Sequence, residues 1–391
     1  MPPITPSFQF QYEKRMRALS ENEYVRMLAS KNVWWNKVAR TMNIEGKTER
    51  LTWLLNTAMI EPVGPTGTGS IEFEGLVTQT AEYPTFRHGK GIKVHRDQIE
   101  DLDGTGLNTL ADWSMQIGAQ MAYYPQKLFS QLILNGANTD GSANAYDTVP
   151  FFADNTARNI GGNSVKGHPY NPYRTNLGGY SNWCKGAASG AYPGALAIDD
   201  SVPVDTALIN LGKAIAHVAT AKMPNGVDPR FLTPSFIIAP PRMAPRVRQL
   251  TDAKYIAQAA SSGGGSGDVA ALISGWGLGT PVIANELGAS VSYNYNAPFM
   301  GSGGNSSFKA ESVTGSDTTW YLVCEEMAST QLGGLLYVMR KPFKVNYYTG
   351  DSGGTAMSAE LDRTNEFEYH CQGRMAAQYG HPYSIFRFDN A

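Results

Sequence analysis

Gly350-Asp351-Ser352-Gly353-Gly354 holds the residue types of a nucleophile loop, in which glycines let backbone amides form an oxyanion hole beside a serine. That chemistry needs an upstream histidine base oriented by an aspartate. The only faint echo of such a histidine is His217, in Ala216-His217-Val218, and it falls midway along an amphipathic helical pattern. Enzymes built on this loop are β-barrels, whereas this chain carries several long helical patterns. The loop therefore reads as a Gly-rich turn between two strands, and a serine hydrolase using Ser352 is the remote alternative.

The other chemical strings are weaker. Gly275-x-Gly277-x-Gly279 has dinucleotide-like spacing, but it precedes a strand pattern where the cofactor motif must follow one. The six histidines are scattered. His88 and His95 lie seven apart with no cysteine nearby, and His370 and Cys371 are adjacent, so on a strand they face opposite sides. His381 sits in a Gly-His-Pro-Tyr turn. No pair has the i, i+4 spacing of a helical metal site, and structural histidines are the expectation. Asp97, Glu100, Asp101 and Asp103 cluster before a long helical pattern, where carboxylates favour the positive helix end; that cap role is simpler than a divalent-ion site. Cys184, Cys324 and Cys371 form no CxxC pair, and so sparse a count fits a reducing cytoplasm. No catalytic, cofactor-binding or metal-binding residue is expected.

Composition narrows the class. Charged residues make up 17% of the 391, against roughly 25% in an average globular chain. The net charge of −2 sets up no global field toward nucleic acid or an anionic membrane. With 20 Tyr and 7 Trp, the chain suits a surface largely covered by partner subunits, because interface cores are poor in charge and rich in aromatics. A loop-rich enzyme is the competing reading. The first residues lack the charged-then-apolar run of a signal peptide, and no apolar run approaches the roughly 18 residues that span a bilayer, so a cytosolic origin is expected.

The elements that must position these residues follow from periodicity. Residues 1–12 are Pro-rich and predicted extended. Ser20-Glu21-Asn22-Glu23 reads as a capping box opening a helix through Tyr24, Met27 and Leu28. The aromatics Trp34 and Trp35 then pack either on a neighbouring subunit or on their own. Lys14, Arg15, Arg17, Arg26, Lys31, Lys37, Arg40, Lys47 and Arg50 give this arm a mild basic excess; contact with DNA phosphate and a solvated or subunit-facing arm both stay open. Residues 51–98 read as β, with a long hairpin around the Gly/Pro tip at 62–69. A two-stranded ribbon is marginal alone, so it should lie on something else.

A helix is predicted from about Leu107 to Asn135, kinked or briefly broken near Tyr124 by Pro125, with Gly136 as its stop. Residues 137–203 are irregular and predicted to hold short strands and turns packed by their tyrosines. An amphipathic helix runs from Asp205 to before Pro224. Phe236-Ile237-Ile238-Ala239 reads as a buried strand, followed after Pro240-Pro241 by a helix to about Leu250. Gly-rich tips lie at 261–267 and 301–305. Strands are predicted at Pro281–Ala284 and Trp320–Cys324, which with the helices make an α/β module. A terminal β pair is predicted from Glu366 to Phe388.

Four strings in order carry a resemblance: Gly91-Ile92-Lys93-Val94-His95-Arg96-Asp97-Gln98-Ile99-Glu100-Asp101; Ala122-Tyr123-Tyr124-Pro125-Gln126-Lys127-Leu128-Phe129; Tyr146-Asp147-Thr148-Val149-Pro150-Phe151-Phe152; and Pro234-Ser235-Phe236-Ile237-Ile238-Ala239-Pro240. The chain resembles the Mu-like phage major head subunits, within the HK-ninety-seven-type major capsid fold. The resemblance is good over about 85–250 and architectural elsewhere; after 250 the chain is longer than the family pattern.

The resemblance implies an α+β, HK-ninety-seven-like fold: an N-terminal arm at 1–48, an extended β-ribbon loop at 49–90, a peripheral domain with its spine helix at 91–140, an axial α/β domain at 141–337, and a peripheral β return at 338–391. It further implies hexamers and pentamers closing an icosahedral head around double-stranded DNA, in a virion assembled in host cytoplasm. The implied partners are the subunit itself, as further candidates scaffolding, portal and cement proteins, and DNA through weak non-specific contacts, with no membrane. A nanocompartment shell of the encapsulin kind, on the same fold, is the alternative.

Overall fold

The computed structural model describes residues 6–30, 33–54, 78–95, 105–252, 277–300, 306–324, 334–348 and 366–390. The tips at 62–69, 261–267 and 301–305, the acidic cluster at 97–103 and the Ser352 loop lie outside these residues.

Helix α1 (Pro6–Leu28) replaces the extended start predicted for the arm. Ser20 is inside it: its hydroxyl donates to the Arg17 carbonyl at 2.8 Å, so the expected capping box is an interior turn. Packing decides this, because α1 lies against the spine helix with Met16 and Ser20 fully buried. Short helix α2 (Trp35–Val38) leads into β1 (Ala39–Asn43). Strands β2 (Thr48–Leu54) and β3 (Thr78–Pro84) pair antiparallel from Thr48↔Pro84 to Leu54↔Thr78, which is the base of the expected ribbon.

Strand β4 (Phe86–His95) is followed by the spine helix α3 (Thr105–Asn135). The predicted break at Pro125 is absent: α3 is continuous through the proline. Proline removes one backbone donor from the ladder, and the same turn is where α2 docks. The Trp35 indole donates to the Ala122 carbonyl at 3.3 Å, and Gln126 Oε1 accepts from the Trp34 amide at 3.0 Å. Tertiary contacts therefore hold the turn that the proline weakens. Pro125→Ala restores the donor and is expected to raise the subunit's stability by about 1–3 kcal/mol, read as a higher urea midpoint. An unchanged midpoint would show that the proline costs the helix nothing here. Gly136 ends α3 at a close approach, since a Cβ there would lie 2.6 Å from a Phe152 ring carbon.

The region 137–203 is stitched by small pairs, as predicted: β5 (Ala157–Ile160) with β6 (Asn163–Lys166), and β7 (His168–Pro169) with β8 (Gly179–Tyr180), then β9 (Trp183–Cys184). Helix α4 (Val204–Ala219), strand β10 (Phe236–Ala239), helix α5 (Ala244–Asp252) and strand β11 (Val282–Ile283) keep the predicted order. Strands β12 (Ser292–Met300) and β13 (Ser306–Thr314) form a nine-pair antiparallel ribbon that periodicity did not indicate. Then come β14 (Thr319–Val323), β15 (Leu335–Tyr348), β16 (Glu366–Tyr379) and β17 (Ile385–Asp389).

Two sheets organise these strands. One has the order β1-β15-β16-β4, the other β11-β10-β14-β17-β9. The predicted terminal β pair is thus divided: β16 joins the first sheet, while β17 pairs with β14 in the second, Val323 opposite Ile385. The turn at Pro382–Ser384 makes the crossing.

The second sheet is buried on both faces, so its strands read as continuous apolar runs. Alternate residues go to different cores. Ile237, Trp320, Leu322, Phe386 and Phe388 pack with α4 and α5. Phe236, Ile238, Tyr321, Val323 and Ile385 instead meet Phe129, Leu132 and Ile133 of α3, together with Leu335 and Tyr337 of the first sheet. The C-terminal half of α3 is therefore the shared wall between the two sheets. Trp34 and Trp35 lie in that same core, so the two tryptophans pack within their own subunit.

Candidate functional site: the spine, its cleft and the buried histidines

The residues with chemical potential are dispersed. His217 is buried on α4; its Nε2 donates to the Ser181 carbonyl at 2.8 Å, and Tyr180 stacks on its ring at 4.9 Å. Burial lowers its pKa and leaves it neutral. A base needs an accessible nitrogen within hydrogen-bond reach of its nucleophile, and His217 is instead enclosed in core. All three cysteines are buried and unbridged. Burial raises the thiol of Cys184, and raises that of Cys371 to about 12, which removes thiolate character at neutral pH. Among the described residues no cluster of His, Cys, Asp and Glu could hold a metal.

Gly279 of the glycine string sits at a tight backbone approach, its amide donating to the Ser235 carbonyl at 2.6 Å, and Gly277 takes a φ of 68°. Both fit the reading of a turn before a strand. The adjacent pair His370 and Cys371 differ in environment, as a strand demands: Cys371 packs against Ile117 and Met121 of α3, while His370 is only half-buried.

What the spine does form is a framework with a cleft. Strand β4 pairs with β16 from His95↔Glu366 to Phe86↔Met375, and α3 lies across this sheet. Between them opens a cleft of about 400 Å³, with Arg87 and Lys90 on one wall and Ile117, Met121 and Phe343 on the other. His88 bridges the walls: Tyr124 of α3 donates to its Nδ1 at 2.7 Å, and its Nε2 donates to the Met375 carbonyl at 3.1 Å. Burial lowers the His88 pKa, consistent with a neutral ring that accepts on one side and donates on the other. The spacing between α1 and α3 is set by Gly118, whose missing side chain lets the Ser20 carbonyl of α1 approach α3.

A second polar cluster lies where the two sheets meet, and periodicity gave no sign of it. His168 is buried with its Nδ1 2.7 Å from Asp147 Oδ2 and its Nε2 3.1 Å from the Phe151 carbonyl. Asn182 donates to the Phe151 and Pro382 carbonyls at 2.7 and 2.8 Å and accepts from the Ala153 amide at 2.8 Å. His381 is packed between Tyr146 and Tyr383, with the Arg230 guanidinium 3.1 Å from its ring and 4.2 Å from the Tyr383 ring centre. Segments far apart along the chain converge here. The only available signal was the number of polar and aromatic residues in 146–182, which composition cannot pair.

The parts of this framework match known capsids. The capsid of cyanophage P-SCSP1u superposes with a TM-score of 0.50 at 12% identity, covering 90% of this chain and 86% of that one. The mature capsid of bacteriophage PhiM1 gives 0.49 at 11% identity, with 92% and 87% covered. The procapsid of bacteriophage JBD30 gives 0.44 at 12%, with 99% and 77% covered. No curated protein matches the chain. The fold is the HK-ninety-seven-type capsid fold, an α+β architecture.

In the N-terminal part, residues 14–171 match the family described as Mu-like prophage major head subunit gpT. That span holds most of α1, the ribbon base, α3, and Asp147 and His168 of the second polar cluster. Over those residues the chain is similar to Mu-like phage major head subunits.

Proposed function

We propose that the subunit forms hexamers and pentamers of an icosahedral head that encloses double-stranded DNA, assembled in the host cytoplasm. The observation that carries this reading is the continuous match of 14–171 to a major head subunit family, laid on a fold whose spine and ribbon base are both present. In this reading 1–48 is the arm, 49–90 the extended loop, 91–140 and 338–391 the peripheral domain, and 141–337 the axial domain. Scaffolding, portal and cement proteins are its further partners, and DNA is met through weak non-specific contacts. Low charge suits this work, because surfaces buried between copies favour aromatic over ionic groups.

Electron microscopy of particles formed by the purified chain, with identification of their contents, tests the reading. Closed shells with DNA from infected cells are expected; shells holding a protein cargo, or a lasting monomer, would overturn it. A second test concerns the ribbon. Deleting Pro65–Gly69 is expected to leave the thermal midpoint of the subunit within a few degrees of wild type and to abolish closed shells. Unfolding of the subunit would show that this segment belongs to its core.

A further inference from the structure

The β12–β13 ribbon leaves the second sheet and returns to it, yet its body lies elsewhere. Its root is tied shut: the Ser316 amide donates to the Leu287 carbonyl at 2.8 Å, the Gly315 amide to the Val291 carbonyl at 2.9 Å, and Asp317 Oδ1 accepts from the Ala289 amide at 2.9 Å. Leu287 is core, so the root is fixed to the sheet. A two-stranded ribbon is marginal on its own; this one is held along its length by other parts of the chain. Asn138, just past the end of α3, donates to Glu311 at 3.2 Å, and Lys309 forms an ion pair with Asp140 and sits 3.3 Å from Glu311. Ala297 is fully buried, and the half-buried Tyr295 lies beside Tyr379 and Glu311. Farther along, Phe308 packs on Phe86 at the start of β4, and β13 contacts β3.

We propose that β12–β13 is an intramolecular strap that sets the angle of the β2–β3 pair on the subunit, with Asp140, Lys309 and Glu311 as its buckle. One end of the strap is rooted in the second sheet, its middle is fastened at the end of the spine helix, and its far end rests on the ribbon base. A lever fixed at two points and touching a third transmits the position of the first two to the third. The buckle also explains a local charge arrangement: the Lys309 ammonium and the Ser142 amide hold the Asp140 carboxyl well below the usual carboxylate range, against some desolvation. The strap rests on the capsid reading only for its consequence, which is that shell curvature depends on this angle.

Lys309→Glu in the full-length chain places three carboxylates together and opens the buckle; Asp140→Lys in the same chain supplies a cation again. Phe308→Ala removes the far contact alone. Amide hydrogen exchange is followed on the free subunit, and particle diameters are measured on its assembled product. With Lys309→Glu and with Phe308→Ala, the β3 amides are expected to exchange about tenfold faster with the β10 and β14 amides unchanged, and shells are expected to vary in diameter. The charge-swapped double variant is expected to restore slow exchange and uniform shells. If the β12–β13 amides loosen in Lys309→Glu while β3 exchange stays at wild-type rates in both single variants, the strap does not position the ribbon and the proposal falls. If the wild-type chain forms no shells, the capsid reading fails, and the exchange data still judge the strap.

Discussion

Replacing Trp35 by alanine is expected to destabilise the unassembled subunit by about 3–5 kcal/mol. The side chain is only 8% exposed. It stacks on Phe129 of the spine at 6.2 Å and tilts against Tyr337 of the first sheet at 5.0 Å, so its loss opens a cavity between helix and sheet. The indole also donates to the Ala122 carbonyl, and that acceptor would be left buried. Trp35→Phe keeps one ring in the core but loses the donor and part of the indole volume, with an expected smaller cost of about 1–3 kcal/mol. Urea denaturation of the free subunit measures both. Had Trp35 packed on a neighbouring copy, alanine would leave the free subunit's midpoint unchanged and lower only assembly; that result would overturn the self-packed placement of the arm.

Acid is expected to loosen the subunit through His381. Burial, the Arg230 guanidinium and nearby His168 hold its pKa well below the usual histidine value. The folded ring is neutral: its Nδ1 accepts from the Tyr383 amide at 3.4 Å. The unfolded chain binds a proton at about pH 6.5, so the folded state is the one that binds fewer protons below that pH. Stability contributed by this group is therefore full above pH 6.5 and falls as pH drops toward the folded pKa. The limiting slope is about 1.4 kcal/mol per pH unit for each such group. His217, also lowered by burial, adds in the same direction. As pH falls from 7 to 5 both histidines are expected to lower stability, each at no more than this slope. His381→Gln should flatten the dependence of the urea midpoint on pH between 7 and 5. An equally steep dependence in this variant would assign the acid sensitivity to other groups.

Where the periodicity was strong, the elements were legible. The helix over Val204–Ala219 carries Leu208, Leu211 and Val218 on one buried face, and its reading depended only on that stripe. The strand Phe236–Ala239 was equally plain, because a run of four apolar residues between prolines has few other uses. The helical start of the arm and the unbroken helix at Pro125 have one reason: each is governed by contacts distant in sequence. Ser20 faces Gly118, and the turn at Pro125 is held by Trp34 and Trp35. Local capping and breaking rules describe a chain alone in water, and they yield when a packed neighbour offers more.

The candidate site divides in the same way. That His217 lies on an apolar helical face, and so makes a poor base, was readable from its neighbours. The meeting of Asp147, His168, Arg230 and His381 was not, since no short-range pattern relates residues so widely spaced along the chain. The ribbon at 292–314 was hidden differently. Its strand Ser292-Tyr293-Asn294-Tyr295-Asn296-Ala297 alternates polar and aromatic residues with few aliphatics, and only its contact with the spine and the Tyr379 region makes that alternation a buried face.

The order of the parts belonged to the sequence alone. So did the resemblance of four ordered strings to head subunits, because both are properties of residue order along the chain. The assignment of β16 and β17 to different sheets came only with the folded chain. So did the burial of the tryptophans in their own subunit and the fastening of β12–β13 across the spine. Each of these is a choice between partners of similar chemistry, and such choices are made by shape and distance once the chain has closed on itself.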